Sequence, residues 1–309
     1  MNGNGMKVVL LLSVFITVNS WSQEIKVTGM KQAGGKNKTQ YVLSGVSPDG
    51  NNLLVSGLGY KGLSLLNIQS GIIKVITDKP GAGYEPRFSG DGSHLYFRSD
   101  DFSGLKRLSS VTDYEISSGN TTELITKGRD VTPPIVSAGK IHFTSDGNLE
   151  TKNAGFEILK SSGSDIFVLL QDLTPVLYIN GERKVLKPNG EGPYIWVSLS
   201  PDKTKLLYCF KGLETYISDL DGKVLYSIGR LHAAKWLNNN IIIGMDDKDD
   251  GNVVTGSEIV SFSLASRERK VLTSSATRHE MYPFPFPDGK RLACQTPDGK
   301  IFIMKLRIK

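Results

Sequence analysis

One turn keeps returning along this chain, each time ahead of a short apolar strand. Ser47-Pro-Asp-Gly50, Ser89-Gly-Asp-Gly92, Ser200-Pro-Asp-Lys203 and Phe286-Pro-Asp-Gly289 precede the alternating runs 53–56, 95–98, 206–209 and 291–294. Two degenerate copies, Ser137-Ala-Gly-Lys140 and Leu237-Asn-Asn-Asn240, stand before residues 141–144 and 241–243. Proline presets φ at the first central position, Asp bonds its own backbone, and Gly takes the positive φ that reverses the chain between two strands. From Asp49 to Asp91 is 42 residues, from Asp91 to Asp202 is 111, and from Asp202 to Asp288 is 86, an average step of about 48 over six copies. That step matches a unit of four short strands.

A second element recurs later in each unit: an alternating strand, a Ser-Gly-like turn, and a strand ending in Leu/Ile-Thr. It runs from Leu65 to Thr77, from Tyr114 to Thr126 and from Ile259 to Thr273. Six such units predict an all-β, six-bladed β-propeller of four-stranded antiparallel blades. The third blade is the irregular one, with an additional segment over 149–164. The sixth ends too soon, because only three residues follow Leu306. Residues 24–28, alternating and unassigned, are expected to supply its outer strand and so remove an unpaired edge.

Met6-Lys7 followed by the apolar run 8–18 reads as a secretory signal, too short for a spanning helix. The expected division is a signal over 1–22 and a single propeller domain over 23–309, with an uncleaved tether as the alternative. A periplasmic or secreted protein follows, with no membrane span in the mature chain. Cys209 and Cys294 fall in equivalent strands of non-adjacent blades, too far apart for a disulfide, so two buried free thiols are expected. The net charge of +6 is spread over turn lysines without a dense basic run, which favours a solvated surface over nucleic-acid binding.

The set of Ser-Pro-Asp-Gly turns before short apolar strands, with Leu-Thr closing the unit, resembles the repeat of the TolB-type propeller family, which is related to WD-repeat proteins. Tyr84-Glu-Pro-Arg-Phe-Ser-Gly-Asp-Gly92 with Leu95-Tyr-Phe97 carries the resemblance best, and it covers roughly residues 41–306. It implies an exported protein that binds a protein partner or extracellular ligand with one face of the ring. The N-terminal α/β domain of TolB itself is not expected here.

Chemical motifs are sparse. No Gly-x-Ser-x-Gly elbow occurs, and the four histidines fall in four different blades. His279-Glu280 lacks a second histidine four residues on. The run Asp246-Asp-Lys-Asp-Asp-Gly251 approaches a calcium loop, but Lys248 takes a ligand position and Ser257 stands where the bidentate Glu belongs. No metal, cofactor or catalytic set is therefore expected. Loops entering the innermost strands gather aromatic and charged residues on one face: Tyr84, Glu85, Arg129, Asp130, Glu191, Tyr194, His232, Arg278, His279 and Glu280. Such residues on a rigid concave face are the material of recognition sites. The expected function is a monomeric, non-catalytic binding or scaffold module for an envelope protein or extracellular glycan. The alternatives are a lyase or lactonase-like hydrolase with its site at the central channel, and a structural envelope component.

Overall fold

Among the described residues twenty-six strands form from the alternating runs, and their pairing gives seven sheets rather than six. The computed structural model describes residues 25–33, 40–104, 106–154, 164–251, 253–275 and 277–308; the expected signal segment and most of the expected third-blade addition lie outside them. The first sheet is β2–β5 (Val42–Val46, Asn52–Ser56, Leu63–Asn67, Ile73–Thr77) and the second β6–β9 (Arg87–Phe88, His94–Ser103, Lys106–Glu115, Thr121–Gly128). The third is β10–β12 (Ile135–Ser137, Lys140–Ser145, Asn148–Asn153) and the fourth β13–β15 (Ile166–Gln171, Thr174–Ile179, Glu182–Val185). The fifth is β16–β19 (Tyr194–Leu199, Lys205–Phe210, Glu214–Asp219, Val224–Gly229) and the sixth β20–β23 (His232–Trp236, Ile241–Asp249, Val254–Ser263, Arg269–Val271). The seventh combines β24–β26 (Met281–Pro285, Arg291–Gln295, Ile301–Ile308) with β1 (Ile25–Gln32).

The sheets are held radially by seven hydrophobic clusters, one in each gap between neighbours. Leu54 and Leu63 meet Leu95 and Phe97 between blades 1 and 2, and Tyr96 and Val111 meet Ile141 and Phe143 between blades 2 and 3. Phe167 and Leu169 pack on Ile135 and Leu149, and Val168 and Leu177 on Leu206 and Tyr208, across the two gaps that flank blade 4. Leu207 with Ile242, Ile243 with Leu292, and Leu43 with Ala293 fill the remaining three. Burying one such large side chain is worth about 1.5–3 kcal/mol, so the ring is stabilised gap by gap.

The count of six fails for a structural reason. The repeated turn joins the first strand of a sheet to its second, and six sheets have it. Blade 4 does not. Ser137, in the turn of blade 3, donates its hydroxyl to the Ile166 carbonyl at 3.3 Å, while the Tyr194 amide at the entry of β16 donates to Leu173 at 2.8 Å. β13 therefore runs from the turn face to the entry face, opposite in direction to β10 and β16 beside it. Blade 4 lacks the first-strand direction and with it the turn, and blade 3 shows no fourth strand among the described residues. Both blades use two-residue reversals, Asp146-Gly147 and Asn180-Gly181, in which each pair has positive φ. The first part of the expected addition, 149–153, belongs to the third strand of blade 3, and 155–163 lie outside the described residues.

The closing strand is present: β1 pairs antiparallel with β26 from Ile25↔Ile308 to Gln32↔Phe302. Ile25 is buried in the last inter-blade cluster, with Val27 and Met30 packed against it. Cys209 in blade 5 and Cys294 in blade 7 are free and buried, separated by a whole blade. Deleting residues 25–32 should leave β26 as an open edge and lower Tm by about 10 °C or more, or drive oligomerisation. Thermal unfolding with size-exclusion chromatography reads the outcome, and an unchanged melting curve in a monomeric truncation would contradict it.

Candidate functional site at the channel mouth

The first strands of the sheets adjoin one another around an axis: β24 touches β2 and β20, β16 touches β20 and β13, and β10 touches β13 and β6. Groups on non-adjacent blades can meet only across that axis. Lys235 of blade 6 lies within electrostatic reach of Glu85 and Arg87 of blade 2. Its Nζ stands 4.3 Å from the ring centroid of Phe284 in blade 7.

Register explains why these side chains point inward. Between His232 and Lys235 on β20, Met281 and Phe284 on β24, and Ile195 and Ser198 on β16, each strand carries a bulge against its partner. The bulged residues Ala233, Tyr282 and Trp196 have φ of 46°, 51° and 53°, and Glu85, in the same place ahead of β6, has 51°. A bulge re-aims the side chains that follow it. Arg87, Ser198, Lys235 and Phe284 all sit two residues after such a position.

Above this level a rim of aromatics forms. Tyr60, in the turn Leu58–Tyr60 of blade 1, meets Tyr84 edge-on with centroids 5.2 Å apart, and its phenol lies close to Tyr282 and Glu85. Gly83 makes this approach possible: a Cβ there would stand 2.3 Å from Ser56, and its N–H donates to the Tyr60 carbonyl at 3.1 Å. The Arg98 guanidinium lies over the Tyr84 ring, 5.6 Å from its centroid. Burial pushes the Tyr84 phenol up to about 12 and also raises Tyr60 and Tyr282. All three remain protonated at neutral pH and offer hydroxyl donors. The Trp196 and His232 rings lie tilted against each other with centroids 5.3 Å apart, and His232 Nδ1 is 2.7 Å from Asp247. Electrostatically, Arg87 Nη2 pairs with Glu85 at 3.3 Å, while Lys235 Nζ has no carboxylate of its own among the described residues.

Of the ten residues singled out in the sequence, Tyr84 and Glu85 stand at the mouth, and His232 reaches it through Trp196 and Asp247. Tyr194 does not: it is fully buried between blades 4 and 5, its hydroxyl donating to Gly190 O at 2.9 Å. Arg129 and Asp130 are exposed in the loop before β10, and Glu191 pairs with Lys187 at 2.7 Å within its own loop. Arg278 lies over Phe302, towards the outer strands of blade 7, and its Nε is 3.3 Å from the Glu280 carboxylate. His279 beside it is half-buried. Glu280 is 0% exposed with neither carboxylate oxygen hydrogen-bonded, and burial raises its pKa. Tyr60, Arg87, Lys235, Tyr282, Phe284 and Trp196 were missed. Counting two residues back from the first residue of each repeated turn would have found Arg87, Lys235 and Phe284.

The acidic run at the end of β21 is committed to arginines. Arg269 Nη2 holds Asp246 at 2.8 Å, and Arg230 reaches Asp247 at 3.7 Å and Asp249 at 3.4 Å. Among the described residues, no group of three or more His, Cys, Asp and Glu is placed to hold a metal ion. Among them, too, no helix is long and apolar enough to cross a membrane.

No protein-family description and no curated protein sequence matches this chain. Solved structures do. An oligogalacturonate lyase in complex with manganese is 15% identical over 85% of this chain and 76% of its own, with a TM-score of 0.49. The oligogalacturonate lyase of Vibrio parahaemolyticus is 12% identical over 84% and 76%, with a TM-score of 0.46. A chain of the mitotic checkpoint complex is 14% identical over 99% of both, with a TM-score of 0.55. At these identities the likeness is one of fold, a β-propeller. The TolB-type resemblance finds no support in the sequence comparisons.

Glu280 offers a test of the electrostatics. A carboxyl whose folded pKa is raised stabilises the fold as pH falls through that value, and the gain is complete below its ordinary 4.5. Glu280→Gln should therefore match or exceed the wild-type Tm at pH 7, with the difference shrinking as pH is lowered towards 4.5. A variant much less stable at pH 7 than at pH 4.5, relative to wild type, would assign the Arg278 pair the larger role.

Proposed function

We propose that this chain is a non-catalytic binding module that receives a protein or glycan partner at the channel mouth on its entry face. The observation that carries the reading is the convergence of Tyr60, Tyr84, Tyr282 and Trp196, from blades 1, 2, 7 and 5, around an opening lined by Arg87 and Lys235. Aromatic side chains lose little conformational freedom on binding, and their hydroxyls add direction to apolar contact, which suits both sugar rings and protein side chains. The rim is prepaid in rigidity, since each member leaves a strand or a turn locked into the ring.

The Lys7 and 8–18 segment supports export, and with it a periplasmic or secreted partner. The Ser-Pro-Asp-Gly repeat, similar to that of TolB-type propellers, supports a scaffold engaging its partner through one face. Together these support a partner among envelope proteins or extracellular polysaccharides.

The test is capture with the tagged mature protein from envelope extract and on an immobilised glycan set, beside the triple variant Tyr60→Ala, Tyr84→Ala, Tyr282→Ala. Each truncation of an interface tyrosine is expected to cost about 1 kcal/mol or more, so a partner identified by mass spectrometry or glycan position should bind the triple variant at least tenfold more weakly. The two proteins must first be matched for folding by circular dichroism. Equal recovery by both would remove the mouth as the binding face.

A further inference from the structure

The channel carries an electrostatic imbalance. Arg87 and Lys235 contribute two positive charges, Glu85 contributes one negative charge, and Glu85 is already paired with Arg87 at 3.3 Å. Lys235 has no ion pair of its own among the described residues: Glu85 acts on it at longer range, and its Nζ stands over the face of Phe284 at 4.3 Å. A cation held among protein atoms without a counter-ion is costly, and the cost is relieved when an anion arrives. Burial first, and the neighbouring Arg87 charge after it, push the Lys235 ammonium down to about 8, with Glu85 opposing. The residue as a whole is half-buried.

The apolar surface is placed to suit one kind of anion. Phe284 lies directly beneath the ammonium, and Tyr282 stands two residues before it at the rim. A ligand that puts its charge on Lys235 finds the Phe284 ring beside it. We propose that the channel is an anion site in which Lys235 and Arg87 receive the carboxylate of an organic ligand whose flat body rests on Phe284 and the mouth tyrosines. This rests on the binding reading above and names the chemical class that the mouth accepts.

The experiment uses the mature protein and sodium benzoate as probe, with benzyl alcohol as its uncharged counterpart. Lys235 is followed by NMR of reductively methylated lysines, assigned with Lys235→Met, and binding is measured between pH 6 and 9. Titratable and charged groups facing Lys235 are Glu85 and Arg87; on its own strand His232 is turned to Asp247, and the phenols of Tyr60, Tyr84 and Tyr282 stay protonated over this range. Benzoate should raise the Lys235 midpoint, because a bound anion favours the ammonium. Its affinity should fall as pH rises through about 8, where the ammonium is lost. Lys235→Met should weaken benzoate about tenfold or more. Lys235→Arg, charged throughout, should retain binding and remove the pH dependence, which a purely structural role would not do. Benzyl alcohol should bind more weakly than benzoate at pH 7.

Benzoate binding equally to wild type and Lys235→Met, or leaving the Lys235 resonance unmoved, overturns the anion site. That failure is distinct from failure of the binding face, which the triple-tyrosine variant reads without reference to Lys235. A partner captured equally by wild type and Lys235→Met would likewise leave the face standing and remove the anion.

Discussion

The antiparallel pairing of Ile25–Gln32 with Ile301–Ile308 is the interaction on which the remainder depends. Each blade buries its faces against two neighbours, and the clusters on either side of blade 7 draw on the leading segment through Ile25 and Ala33. Closure here is made by strand hydrogen bonds between the two ends of the described chain, with Ile25, Val27 and Met30 packed into the same gap as Met245 and Leu292. Without that seam blade 7 would offer β26 to any passing strand. The ring is thus a single cooperative object, although its repeats are local.

Closure also makes the channel mouth possible. Tyr60, Glu85, Lys235 and Tyr282 belong to four blades and lie as much as 222 residues apart between Tyr60 and Tyr282. Their relative positions follow from the seven gap clusters and from the bulges that recur on the inner strands. The positive φ at Ala233, Tyr282 and Trp196 costs backbone strain, which packing on both sides of each blade offsets. What that strain secures is a direction: the residue two places on is aimed at the axis.

Much of the fold was legible because its governing element is a turn whose chemistry can be read from four residues. Ser89 shows the device fully, its hydroxyl donating to Asp91 at 2.6 Å and accepting the His94 amide at 2.9 Å, which ties the turn to the next strand. The closing strand was legible from its isolated alternation. The number of blades was not, because blade 4 joins its first strand to its second through Asp172-Leu173, which lacks the repeated turn's signature, and the 111 residues from Asp91 to Asp202 hold two short blades at an unremarkable average spacing. At the mouth, Tyr84 and Glu85 were visible as loop residues. Lys235 and Phe284 were hidden inside strands, where alternation alone gives the wrong face once a bulge shifts the register. Glu280 and Tyr194 looked like recognition residues only because polarity near a loop does not reveal that a side chain turns back into the core.

The seam between the chain ends is tested most directly by covalent capture. Lys26 and Arg307 are exposed register partners on β1 and β26, and the native Cys209 and Cys294 are buried. The double variant Lys26→Cys, Arg307→Cys should form an intramolecular disulfide under mild oxidation, seen as one linked peptide pair by mass spectrometry in a monomer that melts no lower than wild type. A variant that stays reduced, or links only between molecules, would contradict a ring closed by its leading strand.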